Sequence, residues 1–124
     1  MLATQEYPAI LLQIERYENT IRRRLLSTEN YCEHFRPILL EDVSDTQWCS
    51  LVLGMNEAFR LKQRTIHIQI DDEKLVNAIL TKNIPTDSIN TKYYNRMFMD
   101  LVAKTEWTGL RAYSTSMGIN RSLQ

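Results

Sequence analysis

One stretch, "QRTIHIQIDDEKLV" at residues 63–76, constrains the fold more than any other. In it Ile66, Ile68 and Ile70 alternate with Thr65, His67 and Gln69, the period of a half-buried strand. On either side, the apolar residues recur at helical spacing. A strand exposes a row of backbone donors and acceptors that must find partners, and a single strand is not stable alone. Three outcomes follow. A second strand lies hidden in the chain, in "RPILLEDV" or "NIPT"; the segment joins a longer helix, which its β-branched residues oppose; or it pairs with its twin across a dimer.

The flanking periodicity predicts helices. Tyr7, Ile10, Leu11, Ile14, Tyr17, Ile21 and Leu25 form one stripe, so a first helix is expected from Pro8 to Leu26, its end neutralised by Arg22, Arg23 and Arg24. "NYCEHFRPILLEDV" reads as a short helix broken at Pro37. Ser44 with Gln47 fits a capping box opening a helix over Asp45–Lys62 that buries Trp48, Leu51, Val52, Met55 and Phe59. A short helix follows Asp71–Glu73, a fifth starts near Asn90 and buries Tyr94, Phe98 and Leu101, and a sixth spans Trp107–Met117. The expected fold is a mostly α, compact bundle of five to six helices with one short β element at 64–70, in one domain of 124 residues.

Chemistry is harder to find. His34 and His67 stand in different elements, and Cys32 and Cys49 lack the close pairing that a metal site or a disulfide framework uses. Three glycines build no phosphate cradle. No catalytic residues, metal or cofactor are expected, and the chain reads as not an enzyme. No apolar run approaches the ~18 residues that cross a bilayer, and "MLATQEYPAILL" lacks a basic leader, so a cytoplasmic protein without membrane contact is expected. Net charge is zero but unevenly spread: residues 1–28, 29–57, 58–87 and 88–124 carry +1, −5, +1 and +3. The acidic second quarter and basic last third neutralise one another across the fold, or the basic third meets an acidic partner.

Residues 64–105, with their alternating strand, acidic helix start, loop and longer amphipathic helix, resemble the ribbon-helix-helix family of DNA-binding proteins. The resemblance implies a homodimer in which Thr65, His67 and Gln69 face the major groove and Arg60, Lys62 and Arg64 lie beside phosphates. "DSIN" would supply a helix N-terminus for another phosphate. "LRAYSTSMGINRSLQ" at 110–124 is similar to a truncated helix-turn-helix, with Arg111 and Arg121 as its basic side chains; Gly118 also fits a plain helix end. The sequence therefore predicts a small non-enzymatic regulator that binds DNA, in transcription or as an accessory in DNA processing or mobile-element function. The alternative is a protein-binding adaptor, inhibitor or assembly factor docking a partner on "KYYNRMFMDL".

Overall fold

The computed structural model describes residues 10–29, 31–38, 42–104 and 109–114. These form five strands and three helices: β1 (Ile10–Tyr17), β2 (Thr20–Leu26), β3 (Tyr31–Pro37), α1 (Val43–Arg60), β4 (Thr65–Ile70), α2 (Glu73–Thr81), α3 (Lys92–Ala103) and β5 (Gly109–Ser114). A single tight turn of helix, Ile89–Thr91, leads into α3. One sheet holds all five strands in the order β3-β2-β1-β4-β5. β1, β2 and β3 form an antiparallel meander, whereas β4 runs parallel to both β1 and β5. A mixed sheet with three helices replaces the expected helical bundle.

The first expected helix is the β1–β2 hairpin. Tyr17 pairs with Thr20 across a two-residue turn in which Glu18 takes a left-handed φ of 58°. That conformation usually falls to Gly or Asn, so no turn signal marks the break in the sequence. Within the hairpin Ile10, Leu12, Ile14, Ile21 and Leu25 are almost fully buried, and the helical stripe was a coincidence of two strands read through a turn. Arg23 further obscured the alternation by standing among these core-facing positions. Gly54 on α1 makes room there: a Cβ at position 54 would lie 2.8 Å from Leu12 Cδ2 and 3.1 Å from Arg23 Cδ. Burial pushes the Arg23 guanidinium down from its ordinary pKa, and Glu57 opposes that shift.

The remaining segments divide. "YCEHFRP" is edge strand β3, not a broken helix, and its Arg36 Nη2 donates to the Tyr94 hydroxyl at 3.0 Å. The sixth expected helix overlaps β5, whose residues 109–114 pair with β4 from Thr65↔Gly109 to Ile70↔Ser114. The expected helices over Asp45–Lys62, after Asp71–Glu73 and from about Asn90 are present as α1, α2 and α3. The α1 cap is Asp42 and not Ser44: the Asp42 carboxylate accepts from the Asp45 N–H at 3.0 Å.

Trp48, Leu51, Val52 and Met55 of α1 pack with the sheet's Ile10, Leu12, Ile66, Ile68 and Ile70, all fully buried. Trp48 meets Phe98 of α3 edge to face, centroids 4.8 Å apart. Phe59 and Tyr94, expected in the core, are only partly buried. The partners of β4 are therefore β1 and β5 of its own chain, neither of them the "RPILLEDV" or "NIPT" segment. With both edges occupied, β4 has none left for a two-stranded ribbon across a dimer.

Candidate functional site

The connections diverge at one place in the sheet. From β1 the chain turns toward β2 on one side, and from β4 it leaves toward β5 on the other. In open α/β sheets such a point leaves a crevice at the carboxyl ends of the parallel strands, where ligands bind. Here β1 and β4 run side by side up to Ile14↔Ile70. β3 runs in the same direction as β1, so α1, which follows it, also begins at this end.

Two helix N-termini meet there. Asp72 caps α2 by accepting from the Lys74 N–H at 2.9 Å and the Leu75 N–H at 3.4 Å. The Ser44 hydroxyl, in the first turn of α1, donates to Asp72 Oδ2 at 3.3 Å. Asp42 and Asp72 are half-buried, whereas Asp45 is 4% exposed. Burial pushes the Asp45 carboxyl above its usual range, and its hydrogen bond with Asp42 acts the same way. The Ser88 and Thr86 hydroxyls pull it back down. The result is a buried carboxyl beside a half-buried one, two acidic groups at the same end of the sheet.

Clustered carboxylates at a catalytic site commonly clamp divalent ions. Among the described residues no group of three or more His, Cys, Asp or Glu side chains could hold a metal ion. The donor set present does not fit such a centre.

The sequence-derived site residues lie elsewhere. Arg60 ends α1, Lys62 sits in the following turn with φ 65°, and Arg64 donates to the Phe59 carbonyl at 2.9 Å, all at the opposite, amino end of β4. Thr65, His67 and Gln69 share the sheet face turned away from the buried isoleucines. Arg111, exposed on β5, stands opposite His67 in register. The structure thus gathers Thr65, His67, Gln69 and Arg111 on one face and separates them from Arg60 and Lys62. Arg121, and the helix-turn-helix pattern beyond residue 114, fall outside the described residues. In the sequence Ser44, Asp45 and Asp72 read only as helix openings, and Asp42 carries no signal of its own. Their signal was the acid-rich start of two helices, "EDVSD" and "IDDE", but their meeting depends on strand order.

No protein-family model matches the sequence, and no curated protein matches it. The fold does have known likenesses. The N-terminal RNase H domain of a Mycobacterium tuberculosis protein, solved as a fusion with maltose-binding protein, matches 91% of this chain and 91% of its own with TM-score 0.66 at 9% identity. RNase H1 of the halophilic archaeon Halobacterium salinarum matches 91% of this chain and 89% of its own with TM-score 0.60, also at 9% identity. These likenesses overturn the mostly α fold, and helix-turn-helix and ribbon-helix-helix no longer describe the architecture. Because both likenesses are to ribonuclease domains, the expectations of a non-enzymatic DNA-binding regulator and of a chain that is not an enzyme do not stand, and the adaptor alternative is not favoured either. Among the described residues no helix is long and apolar enough to cross a membrane. What the chain shares with these ribonucleases is its fold.

Proposed function

We propose that this chain is a nucleic-acid-processing domain that cleaves a phosphodiester strand laid across the carboxyl ends of β1 and β4. The observation that carries the reading is the likeness of fold to two ribonuclease H domains over about nine-tenths of both partners. The crevice supplies groups suited to the work. Asp42, half-buried and in contact with the Asp45 carboxyl, accepts a proton from a water that attacks the phosphorus, and the P–O bond to the leaving sugar oxygen breaks as that oxygen takes a proton from solvent. Ser44 fixes the Asp72 carboxylate at the mouth.

The test is cleavage of labelled single strands, duplexes and RNA–DNA hybrids, with magnesium, with manganese and with chelator. Cleavage is expected for at least one substrate. Asp42→Asn keeps a competent helix cap, because Asn caps as well as Asp, so the variant folds. It is expected to lower the rate by about 10²-fold or more, the usual worth of a positioned acid or base. Wild-type protein that cleaves none of these substrates, or an Asp42→Asn variant as fast as wild type, sinks the proposal.

A further inference from the structure

Loop residues 84–87 and the first turns of α3 enclose an open cleft of about 540 Å³, lined by Ile84, Pro85, Thr86, Asp87, Lys92, Asn95 and Arg96. Its walls are pinned from below. Asn95 Nδ2 donates to the Thr86 carbonyl at 2.9 Å, and the indole N–H of fully buried Trp48 donates to Asn95 Oδ1 at 2.7 Å. The buried Asp45 carboxyl bonds the Thr86 and Ser88 hydroxyls from the α1 side. Ser88 in turn accepts from the Asn90 N–H at 3.1 Å, and its carbonyl accepts from the Thr91 hydroxyl at 3.1 Å. A loop with no regular structure of its own is therefore held between α1 and α3 by buried polar groups. Such fixing of a surface loop is the usual support for a binding site.

The cations in this cleft are uncommitted. Lys92 and Arg96 lie one helical turn apart on α3, both exposed, and among the described residues neither makes a hydrogen bond or an ion pair. By contrast Arg22 and Arg24 both reach Glu15, and Arg36 reaches Tyr94. Ile84 and Pro85 offer an apolar ledge beside the pair, and Asp87 an acceptor. Two unpaired cations bind a phosphate, an apolar ledge takes a planar base, and a carboxylate accepts from a sugar hydroxyl or a base amino group. We infer that the cleft is a nucleotide subsite, in which Lys92 and Arg96 hold a phosphate and the Ile84–Pro85 ledge supports the base. The inference rests on the proposed nucleic-acid function for the source of its ligand, but it does not depend on Asp42 or on cleavage.

Free nucleotide and strand end are the two sources of that phosphate. Titration of the full chain with adenosine monophosphate, and with a short single strand bearing either a 5′-phosphate or a 5′-hydroxyl, separates them. The Asp42→Asn variant serves as the binding protein, so the strand survives even where the wild type cleaves. Binding of both phosphorylated ligands marks a free-nucleotide site, and binding of the phosphorylated strand alone marks a strand-end site. In either case the Lys92→Ala/Arg96→Ala double variant should bind at least about tenfold more weakly, the loss of one charge-assisted hydrogen bond. Both positions are exposed, and an unchanged circular dichroism spectrum shows that the variant folds. Equal affinity of the double variant and its parent, or no binding of any phosphorylated probe, overturns the subsite. Tight phosphate-dependent binding without cleavage would keep the subsite and sink only the reading at Asp42.

Discussion

On the helix-covered face of the sheet Ile10, Leu12, Ile14, Ile66, Ile68 and Ile70 are at most 1% exposed. One residue along the same strands, on the other face, Gln13, Glu15, His67 and Gln69 are only partly buried. Polar side chains there satisfy one another: Gln13 Nε2 donates to Gln69 Oε1 at 2.8 Å across the parallel β1–β4 pair, and Glu15 accepts from Arg22 and from Arg24. The first face gains stability from area removed from water, about 1.5–3 kcal/mol for each large aliphatic side chain. The second is held by exchanges of water for protein hydrogen bonds, worth about 1 kcal/mol or less apiece. Faces built so differently should respond oppositely to the same substitution, and β4 places both within one residue of each other.

The largest contrast is expected from aspartate at neighbouring positions. Ile68→Asp puts an unpaired carboxylate among the buried isoleucines and should cost more than about 4 kcal/mol, enough to unfold a marginal domain. His67→Asp faces the open side opposite Arg111 and should change stability by less than about 1 kcal/mol. Urea unfolding of both variants measures the difference. Similar losses at the two positions would mean that the strand does not separate two faces.

A sharper probe of the covered face is the close approach at Gly54. A methyl group there meets Leu12 and Arg23, so Gly54→Ala should destabilise by about 1–3 kcal/mol in spite of alanine's better helix propensity. Combining it with Leu12→Ala should cost clearly less than the two single losses added, since the second change removes the obstacle. Strict additivity would show that position 54 does not press on the sheet.

The same contrast explains what the sequence made legible. β4 was readable because its alternation is unbroken, apolar inward and polar outward for six residues. β1 and β2 were not, since Leu11 and Leu26 are apolar on the open face and Arg23 is polar on the covered one. With the Glu18 turn unmarked by glycine, three- and four-residue steps fitted the hairpin as well as two-residue steps did. β5 reads as helix from its Leu110 and Tyr113 spacing, a pattern too short to separate the two periods. The three helices carried longer patterns, two of them with acidic starts, and those survived. The candidate site is half legible: Asp45 and the Asp71–Glu73 run read as helix openings. Which openings share a crevice depends on pairing between strands far apart in sequence, and no local pattern encodes that.

The smallest effect tests the open face directly. Gln13 and Gln69 lie opposite one another in the β1–β4 register, and their amides form a partly buried hydrogen bond. Removing either partner leaves the other near enough to solvent to be hydrated, so each single alanine variant should cost only about 0.5–1.5 kcal/mol. The coupling energy from the Gln13→Ala, Gln69→Ala cycle should be about 0.5–1 kcal/mol, the size of one neutral hydrogen bond. A coupling near zero would mean that water already takes the place of the partner amide and that the open face adds nothing through this pair. A coupling above about 2 kcal/mol would mean a desolvated pair, because only a buried amide left unsatisfied costs that much. It would place the open face under cover like its opposite, and the contrast between the two faces would be lost at the centre of the sheet.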